Sequence, residues 1–123
     1  MKKLFYTLAL LISFSSFGQD DIKQGEFIDY YESGAVKSKE NYVDGKLQGE
    51  MISYYESGAV KGKSNWFGGM LQGEMILYYE SGTIRAKGNY VDGIKDGKKI
   101  RYNKSGEVVE EVNYVNGKLQ KKN

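Results

Sequence analysis

Apolar and polar residues alternate along most of the chain, in short runs that are closed by glycine at regular intervals. From residue 25 to residue 120 these runs are rich in tyrosine, isoleucine and valine. Alternation with a period of two is typical of β-strands, whereas an amphipathic helix repeats every 3.6 residues. The pattern therefore predicts a series of short β-strands.

The runs recur with a period of 24 residues and without insertions. A fixed period of this length indicates a repeat architecture in which each unit packs on its neighbours. A lead-in of residues 19–24 precedes the array, and a tail of residues 121–123 follows it. The four units are 25–48 (GEFIDYYESGAVKSKENYVDGKLQ), 49–72 (GEMISYYESGAVKGKSNWFGGMLQ), 73–96 (GEMILYYESGTIRAKGNYVDGIKD) and 97–120 (GKKIRYNKSGEVVEEVNYVNGKLQ).

Two kinds of turn divide the repeats. Tyr31-Glu32-Ser33-Gly34 has the pattern of a type I turn followed by glycine in the left-handed region, and it predicts that Tyr31 pairs with Ala35. The second turn is Asp-Gly, Gly-Gly or Asn-Gly, the signal for a two-residue hairpin turn. We therefore predict an all-β fold: a single extended, twisted antiparallel β-meander of four hairpin repeats and eight strands.

Counting outward from the first turn assigns the side chains to two faces. One face is predicted to be apolar, with Ser38, Gly62 and Ala86 leaving room between its larger side chains. The opposite face is predicted to carry Phe27, Met51 and Met75. The large residues assigned to the apolar face are Ile28, Tyr30, Val36 and Tyr42; Ile52, Tyr54, Val60 and Trp66; Ile76, Tyr78, Ile84 and Tyr90; and Ile100, Tyr102, Val108 and Tyr114.

This register carries two further expectations. Lys37, Lys61 and Arg85 should lie across from Asp29, Ser53 and Leu77. The two-residue turn would pair Tyr42 with Leu47. This pairing would exchange the two faces in the next hairpin, so the strand must contain one extra residue without a partner. Gly49, Gly73 and Gly97 are the expected positions of that bulge or break, because glycine tolerates the dihedral angles required.

The first 18 residues have the pattern of a secretory signal peptide. Lys2 and Lys3 precede the apolar segment Leu4–Phe14, and small residues follow it, so cleavage is expected after Gly18. The alternative is an uncleaved membrane anchor, but the apolar segment is short against the roughly 20 residues that span a bilayer. We expect a periplasmic or secreted protein.

Composition removes several classes of function. The chain has neither cysteine nor histidine, so it lacks the usual nucleophile pairs, thiolate or imidazole metal ligands and a general base that titrates near neutral pH. Without Lys2 and Lys3 the basic and acidic residues balance, which disfavours nucleic acid as a partner. We expect a protein that is not an enzyme, with no cofactor and no metal site.

The best candidates for contact with a partner are exposed tyrosines beside cationic side chains, which suit sugar rings, anionic glycans or an extended peptide. The alternatives are that the tyrosines form a second small core and that the cations are solvated groups that prevent edge aggregation. The candidate residues are Tyr31, Tyr55, Tyr79, Lys37, Lys61, Arg85, Lys39, Lys63 and Lys87.

The repeated motif YYESG…K…NYVDG…GE, with paired aromatic residues and two glycine turns, resembles the MORN repeat. It is most similar to the second MORN variant, found in bacterial proteins described as YwqK-type antitoxin components of toxin-antitoxin systems. The resemblance covers residues 25–120. It implies an extended antiparallel meander that interacts with lipids or proteins and has no shared catalytic residue.

Three hypotheses on function follow. The first is an exported, non-catalytic module that binds a protein or another cell-envelope component. The second is a peripheral binder of anionic lipid or glycan. The third is the antitoxin role that the resemblance suggests, which requires residence in the cytosol. A homodimer, packed end to end or face to face, is expected because a single sheet leaves its apolar side chains poorly covered.

Overall fold

A computed structural model describes residues 22–121 of the chain as β-strands and turns. The predicted signal peptide and its cleavage site lie outside the described residues. The strands are β1 Gly25–Tyr30, β2 Val36–Val43, β3 Lys46–Leu47, β4 Gly49–Tyr54, β5 Val60–Phe67, β6 Met70–Leu71, β7 Gly73–Tyr78, β8 Ile84–Val91, β9 Ile94–Lys95, β10 Gly97–Tyr102, β11 Val108–Val115 and β12 Lys118–Gln120.

All twelve strands belong to one open antiparallel sheet, so the predicted all-β meander of hairpins is confirmed. The strand order is β1-β2-β4-β5-β7-β8-β10-β11-β12, while β3, β6 and β9 pair with β2, β5 and β8. The sheet has twelve strands and not the expected eight, because the chain that returns from each two-residue turn forms a short strand of its own before the next hairpin begins.

The first turn of each repeat has the predicted geometry. The Gly34 amide donates to the Tyr31 carbonyl at 2.9 Å, and the Tyr31 amide donates to the Ala35 carbonyl at 2.8 Å. Gly34 has a φ of 91°, a conformation that is strained for residues with a Cβ. The pairing of Tyr31 with Ala35 is therefore confirmed, and it recurs in every repeat.

The second turn also has the predicted form. Asp44 and Gly45 both have positive φ, 50° and 78°, as a type I′ turn requires, and Tyr42 pairs with Leu47. The strand then breaks at Gln48, and Gly49 has a φ of 82°. The break lies where it was predicted. The three residues 49–51 lie opposite Glu40 alone, so the strand contains two extra residues and not the expected one. With two extra residues, the side chains of the next hairpin keep the same alternation between the two faces.

The predicted faces are wrong because each hairpin contains a β-bulge that the sequence does not reveal. Tyr30 pairs with Val36, but Asp29 pairs with Ser38, which leaves Lys37 as the extra residue. Ser53 likewise faces Gly62 and Leu77 faces Ala86, so the expected pairing of Lys61 and Arg85 with these residues is also wrong. One extra residue moves every later side chain of the strand to the other face.

The bulge places the tyrosine and tryptophan of the second strand beside the phenylalanine and methionines of the first. We call this side the tryptophan face and the other side the isoleucine face. The tryptophan face carries Phe27, Asp29, Ser38, Glu40 and Tyr42; Met51, Ser53, Gly62, Ser64 and Trp66; Met75, Leu77, Ala86, Gly88 and Tyr90; and Lys99, Arg101, Glu110, Val112 and Tyr114. The isoleucine face carries Ile28, Tyr30, Val36 and Lys39; Ile52, Tyr54, Val60 and Lys63; Ile76, Tyr78, Ile84 and Lys87; and Ile100, Tyr102, Val108 and Glu111.

Side-chain hydrogen bonds link successive repeats at both ends of the strands, beside the turns. Beside the Glu-Ser-Gly turns the Tyr31 hydroxyl donates to the Tyr54 carbonyl at 2.6 Å, and Tyr55 and Tyr79 repeat this bond to Tyr78 and Tyr102. At the other edge a glutamine holds the two-residue turn 20 residues later: Gln24 donates to the Asp44 carboxylate at 2.7 Å and accepts from the Asp44 amide at 3.0 Å. These bonds help to hold the strands in register, and residues 22–121 form no second layer over the sheet.

The fourth repeat uses its polar side chains differently. Asn103 replaces the tyrosine that reaches the next unit, and its Oδ1 accepts from the Ser105 and Glu107 amides at 3.0 Å each. Arg101 pairs with Glu110 at 3.0 Å across β10 and β11. The residue at this position bonds the next repeat in the earlier units, whereas Asn103 bonds the amides of its own turn.

Candidate interaction surfaces

Tyr31, Tyr55 and Tyr79 form a row along the edge of the Glu-Ser-Gly turns, on the tryptophan face. Each hydroxyl donates to a backbone carbonyl of the following repeat at 2.6–2.7 Å, and each residue is only partly exposed. The rings stand in a fixed position, but their hydroxyl protons are already used. The row can offer ring surface to a partner more readily than hydrogen bonds.

The bulge brings cations beside this row. The Lys37 Nζ lies 5.7 Å from the centroid of the Tyr31 ring, and Lys61 repeats the arrangement at Tyr55 with the same distance. Arg85 is the equivalent bulge residue of the third repeat and is exposed. Cation–π contact at an exposed site contributes about 0.5–1 kcal/mol and holds the ammonium group over the ring.

The other three candidate cations lie on the opposite side of the sheet. Lys39 is paired with Ile52, and its Nζ lies 6.0 Å from the Tyr54 ring centroid. Lys87 has the same relation to Tyr102, at 5.9 Å, and Lys63 is equivalent to both. The nine candidate residues therefore divide between two faces: six surround the tyrosine row and three lie on the isoleucine face.

Small, buried side chains lie between the larger rings on the tryptophan face. Ser38 and Ser64 are buried, with 7% and 8% of their surface exposed, and Trp66 donates its indole N–H to Ser64 Oγ at 2.8 Å. In the first repeat the Phe27 and Tyr42 rings meet edge to face, with centroids 5.3 Å apart. Lys23 lies over the Tyr42 ring at 4.8 Å.

The acidity of the Tyr42 phenol is shifted by its surroundings. Burial raises the pKa of Tyr42 to about 12, and the hydrogen bond that its hydroxyl donates to Glu40 at 2.6 Å acts in the same direction. The negative charges of Glu40 and Asp29 add to the effect. The phenol is held protonated well above its usual range, so it serves as a hydrogen-bond donor and not as a base.

A row of exposed hydrophobic side chains within residues 22–121 was not predicted. It runs along the two-residue turns on the isoleucine side, and its side chains are 44% to 65% exposed. Val43 pairs with Lys46, but the equivalent pairs Phe67 with Met70 and Val91 with Ile94 are wholly apolar. We call this surface the hydrophobic strip; it consists of Ile22, Val43, Phe67, Met70, Val91, Ile94 and Val115.

A sequence signal for the strip does exist. Each repeat places an aliphatic residue or phenylalanine directly before the two-residue turn, one position after the tyrosine or tryptophan of the second strand. Adjacent residues of a strand point to opposite faces, so both cannot be covered by the same layer. The tyrosines and the tryptophan of the second strand were considered in the prediction, and the apolar residue that follows each of them was not.

Within residues 22–121, no three Asp, Glu, His or Cys side chains are grouped so that they could hold a metal ion. The same residues contain no helix of the length and apolar character needed to cross a membrane.

Comparison with known proteins gives one positive result. The family model described as a MORN repeat variant matches residues 23–44, 47–66, 71–92 and 95–122. All four matches begin at the residue before a glutamine or aspartate whose side chain caps a two-residue turn: Gln24, Gln48, Gln72 and Asp96. No curated protein matches the chain.

Proposed function

Because the chain belongs to the MORN repeat variant family, whose repeats are known from modules involved in binding, we propose that it is an exported, non-catalytic module that binds a protein of the cell envelope. The hydrophobic strip is the observation that carries this proposal. Monomeric proteins rarely leave a contiguous row of large apolar side chains in water unless a partner covers it.

The chemistry of the strip favours a protein over an anionic lipid or glycan. The strip is apolar, and charges of both signs lie at the two-residue turns: Lys46 and Lys118 are cationic, and Asp44 and Asp92 are anionic. An anionic surface would be attracted by a local excess of cations, which this edge does not have. An apolar surface on a second protein gains from burial without that requirement.

The scaffold also fits such a role. The strip stands on type I′ turns whose backbone and side-chain hydrogen bonds recur in successive repeats, including Gly69 to Leu47 at 3.0 Å and Gly93 to Leu71 at 2.8 Å. A surface that is fixed before binding loses little conformational entropy when a partner covers it. The side chains of the strip are thus presented at about 10 Å intervals, the spacing of two strands.

The export claim is tested by fractionating the native host and measuring the intact mass of the protein. We expect a chain that begins at Gln19, in the periplasm or the medium, because the first 18 residues match a cleaved signal peptide. A chain that keeps Met1 and stays in the cytosol would contradict export and would favour the antitoxin hypothesis.

The strip is tested with Phe67→Asp and the matched control Val109→Asp. Both side chains are exposed, 65% and 56%, but Val109 is a bulge residue outside the strip, at a position where other repeats carry Lys or Arg. Each tagged variant is used to recover proteins from a detergent-solubilised envelope fraction of the host. Loss of a buried phenylalanine contact, about 1.5–3 kcal/mol, should reduce recovery of the partner about tenfold or more.

The unmodified protein and the Val109→Asp variant should recover the same partner in equal amounts. Equal recovery with Phe67→Asp would remove the strip from the proposal. Salt-sensitive binding of the protein to vesicles rich in phosphatidylglycerol, unchanged by Phe67→Asp, would instead support the lipid hypothesis.

A further inference from the structure

The two ends of the sheet are the two halves of a contact that recurs inside the chain. We call that contact a junction: the second strand of one repeat pairs with the first strand of the next. At the first junction Ser38 pairs with Ser53, and the next two junctions repeat this register. Within residues 22–121, no strand pairs with the outer side of β1 or with Glu110 of β11 on its outer side. A second copy of the chain could therefore continue the sheet by placing its β1 beside β11.

Each inner junction has a small residue where the next repeat packs against the second strand. Ser38 is only 7% exposed, and Gly62 at the equivalent position is also buried. A Cβ added to Gly62 would lie 3.1 Å from Cδ2 of Leu77, which belongs to the following repeat. Ala86 holds this position at the third junction, but the fourth repeat has Glu110 there. The last unit thus carries a long charged side chain where the others have no room for one.

A fourth junction would also bury charge. By the register of the inner junctions, Glu110 would pair with Asp29 of the second copy, and both carboxylates lie on the tryptophan face. Arg101 is bonded to Glu110 at 3.0 Å and would offset part of the repulsion between these carboxylates. This ion pair is now partly exposed, and removing its water is costly. The cost arises from burial at one position, so it does not depend on the net charge of the end.

A cation–π contact of the inner junctions is reversed at this end. The Lys39 Nζ lies 6.0 Å from the centroid of the Tyr54 ring in the following repeat, and the third junction repeats the contact at 5.9 Å. Glu111 holds the equivalent position in the fourth repeat, where it pairs with Lys98 at 3.2 Å. The face of an aromatic ring attracts a cation and repels a carboxylate, so Glu111 would oppose the tyrosine of a second copy.

The hydrogen bond that crosses each inner junction is also replaced in the last unit. Tyr31, Tyr55 and Tyr79 each donate a hydroxyl to a carbonyl of the following repeat at 2.6–2.7 Å. Asn103 holds this position in the fourth repeat, and its Oδ1 accepts from two amides of its own turn at 3.0 Å each. The small residue, the cation and the hydroxyl that join one repeat to the next have therefore all been exchanged in the fourth repeat.

We propose that Asn103, Glu110 and Glu111 form a stop that prevents a second copy of this chain from extending the sheet end to end. Such a junction joins two different surfaces, so every added copy would present a new edge and association would give an open filament. Charged side chains on an edge strand are a common protection against this kind of pairing. Of the two forms of homodimer expected from the sequence, the stop excludes the one packed end to end.

The lead-in at the other end is not itself the stop. The Lys23 carbonyl accepts from the Gly45 amide at 2.9 Å, so the lead-in lies where Leu119 of a preceding copy would lie. Because Leu119 is equivalent to Lys23 by the 24-residue period, its carbonyl can accept the same hydrogen bond. Exchange of the two segments conserves this bond, whereas the residues of the stop oppose the junction directly.

The experiment gives the fourth repeat the residues of the third and measures assembly by sedimentation velocity over a range of concentrations. We expect the unmodified protein to form no open-ended assembly. The triple variant Asn103→Tyr/Glu110→Ala/Glu111→Lys should form filaments, because it restores the hydrogen bond, the small side chain and the cation of an inner junction. The dissociation constant of the end-to-end contact should fall about a hundredfold or more.

The matched control is Asn65→Tyr/Glu50→Ala/Glu74→Lys, which makes the same three substitutions at exposed positions of the inner repeats. It should sediment like the unmodified protein, and circular dichroism should show that both variants retain the β-sheet. A folded triple variant that does not assemble overturns the proposal. So does an unmodified protein that forms filaments, or a control that assembles as the triple variant does.

A pair of cysteines tests the register and does not require the triple variant to fold. The chain has no cysteine, and Asp29→Cys with Glu110→Cys removes both opposed carboxylates and places the two thiols across from each other in a continued sheet. Oxidation should give a ladder of covalent multimers on a denaturing gel, which Asp29→Cys with Glu74→Cys should not give. Monomers alone, or equal ladders from both pairs, would count against the stop.

Discussion

Tyr42, Trp66 and Tyr90 occupy equivalent positions, and the residue two places before each of them differs accordingly. Glu40 accepts the Tyr42 hydroxyl and Ser64 accepts the Trp66 indole N–H. Gly88 stands at this position in the third repeat, where an added Cβ would lie 3.6 Å from the Tyr90 ring. Polar ring atoms that are partly buried need a partner, and these pairs supply it in two of the repeats.

The raised pKa of Tyr42 makes a testable prediction on acidity. Because the pKa is about 12 in the folded state and 10.0 in the unfolded chain, this group stabilises the fold below pH 10 and its contribution is lost as the pH rises towards 12. Nuclear magnetic resonance of the Tyr42 ring carbons during titration should give a midpoint near pH 12. Glu40→Gln should lower that pKa only in part, since burial remains the main cause. A Tyr42 that titrates near 10 in the unmodified protein would contradict this account.

The glutamines that hold the two-residue turns provide a second prediction. Gln72 donates to the Asp92 carboxylate and accepts from the Asp92 amide at 3.1 Å. Gln72→Ala should lower the free energy of unfolding by about 0.5–1.5 kcal/mol, because both hydrogen bonds are lost. Urea denaturation gives the measurement. Gln120→Ala is the control: that side chain donates only to Lys118 O within its own strand, so a change above about 0.5 kcal/mol would be unexpected.

At the scale of the element, the hairpins show which features of a sequence determine backbone geometry. Both turns were predictable, because a left-handed residue must be glycine or a short polar residue and the chain places these at fixed intervals. The bulge was not predictable. Its four residues are Lys37, Lys61, Arg85 and Val109, which share no chemical property that a bulge requires. The faces were assigned wrongly as a result, although the strands were not.

The extra residue of each bulge decides the face on which the candidate contact residues lie. Tyr31, Tyr55 and Tyr79 precede the bulge, and their place beside Phe27 and the methionines was predicted from the alternation. Lys39, Lys63 and Lys87 follow the bulge and therefore lie on the face opposite to the one expected. The contact of all nine residues with a partner stays a prediction, but it can no longer involve a single face.

The two-residue turn of the second repeat makes a third prediction. Asp44, Asp92 and Asn116 adopt a φ near 50° at a position where this repeat has Gly68, with φ 57° and open space for a Cβ. Gly68→Asn should raise the free energy of unfolding by about 0.4–1 kcal/mol, because the unfolded chain loses freedom. Gly69→Asn should destabilise the protein, because its φ of 84° is strained for a residue with a Cβ. Thermal unfolding of both variants checks the contrast, and stabilisation by both would contradict it.

At the scale of the whole molecule, the fold is held together by ladders and edge bonds and not by a packed interior. Each hairpin contacts its neighbours along the sheet, and the strands are aligned by tyrosine hydroxyls at one edge and turn-capping side chains at the other. Such an array leaves two extended surfaces free for partners. We propose that one of them, the hydrophobic strip, binds another protein.

The most direct test of the proposed function is photo-crosslinking in the native host. A p-benzoylphenylalanine residue is placed at Phe67 in the hydrophobic strip and, in a separate variant, at Val109, which is similarly exposed outside it. The account predicts a discrete adduct with an envelope protein from position 67 and no such adduct from position 109. The absence of an adduct at position 67, or the same adducts at both positions, would contradict the claim that the strip binds a protein partner.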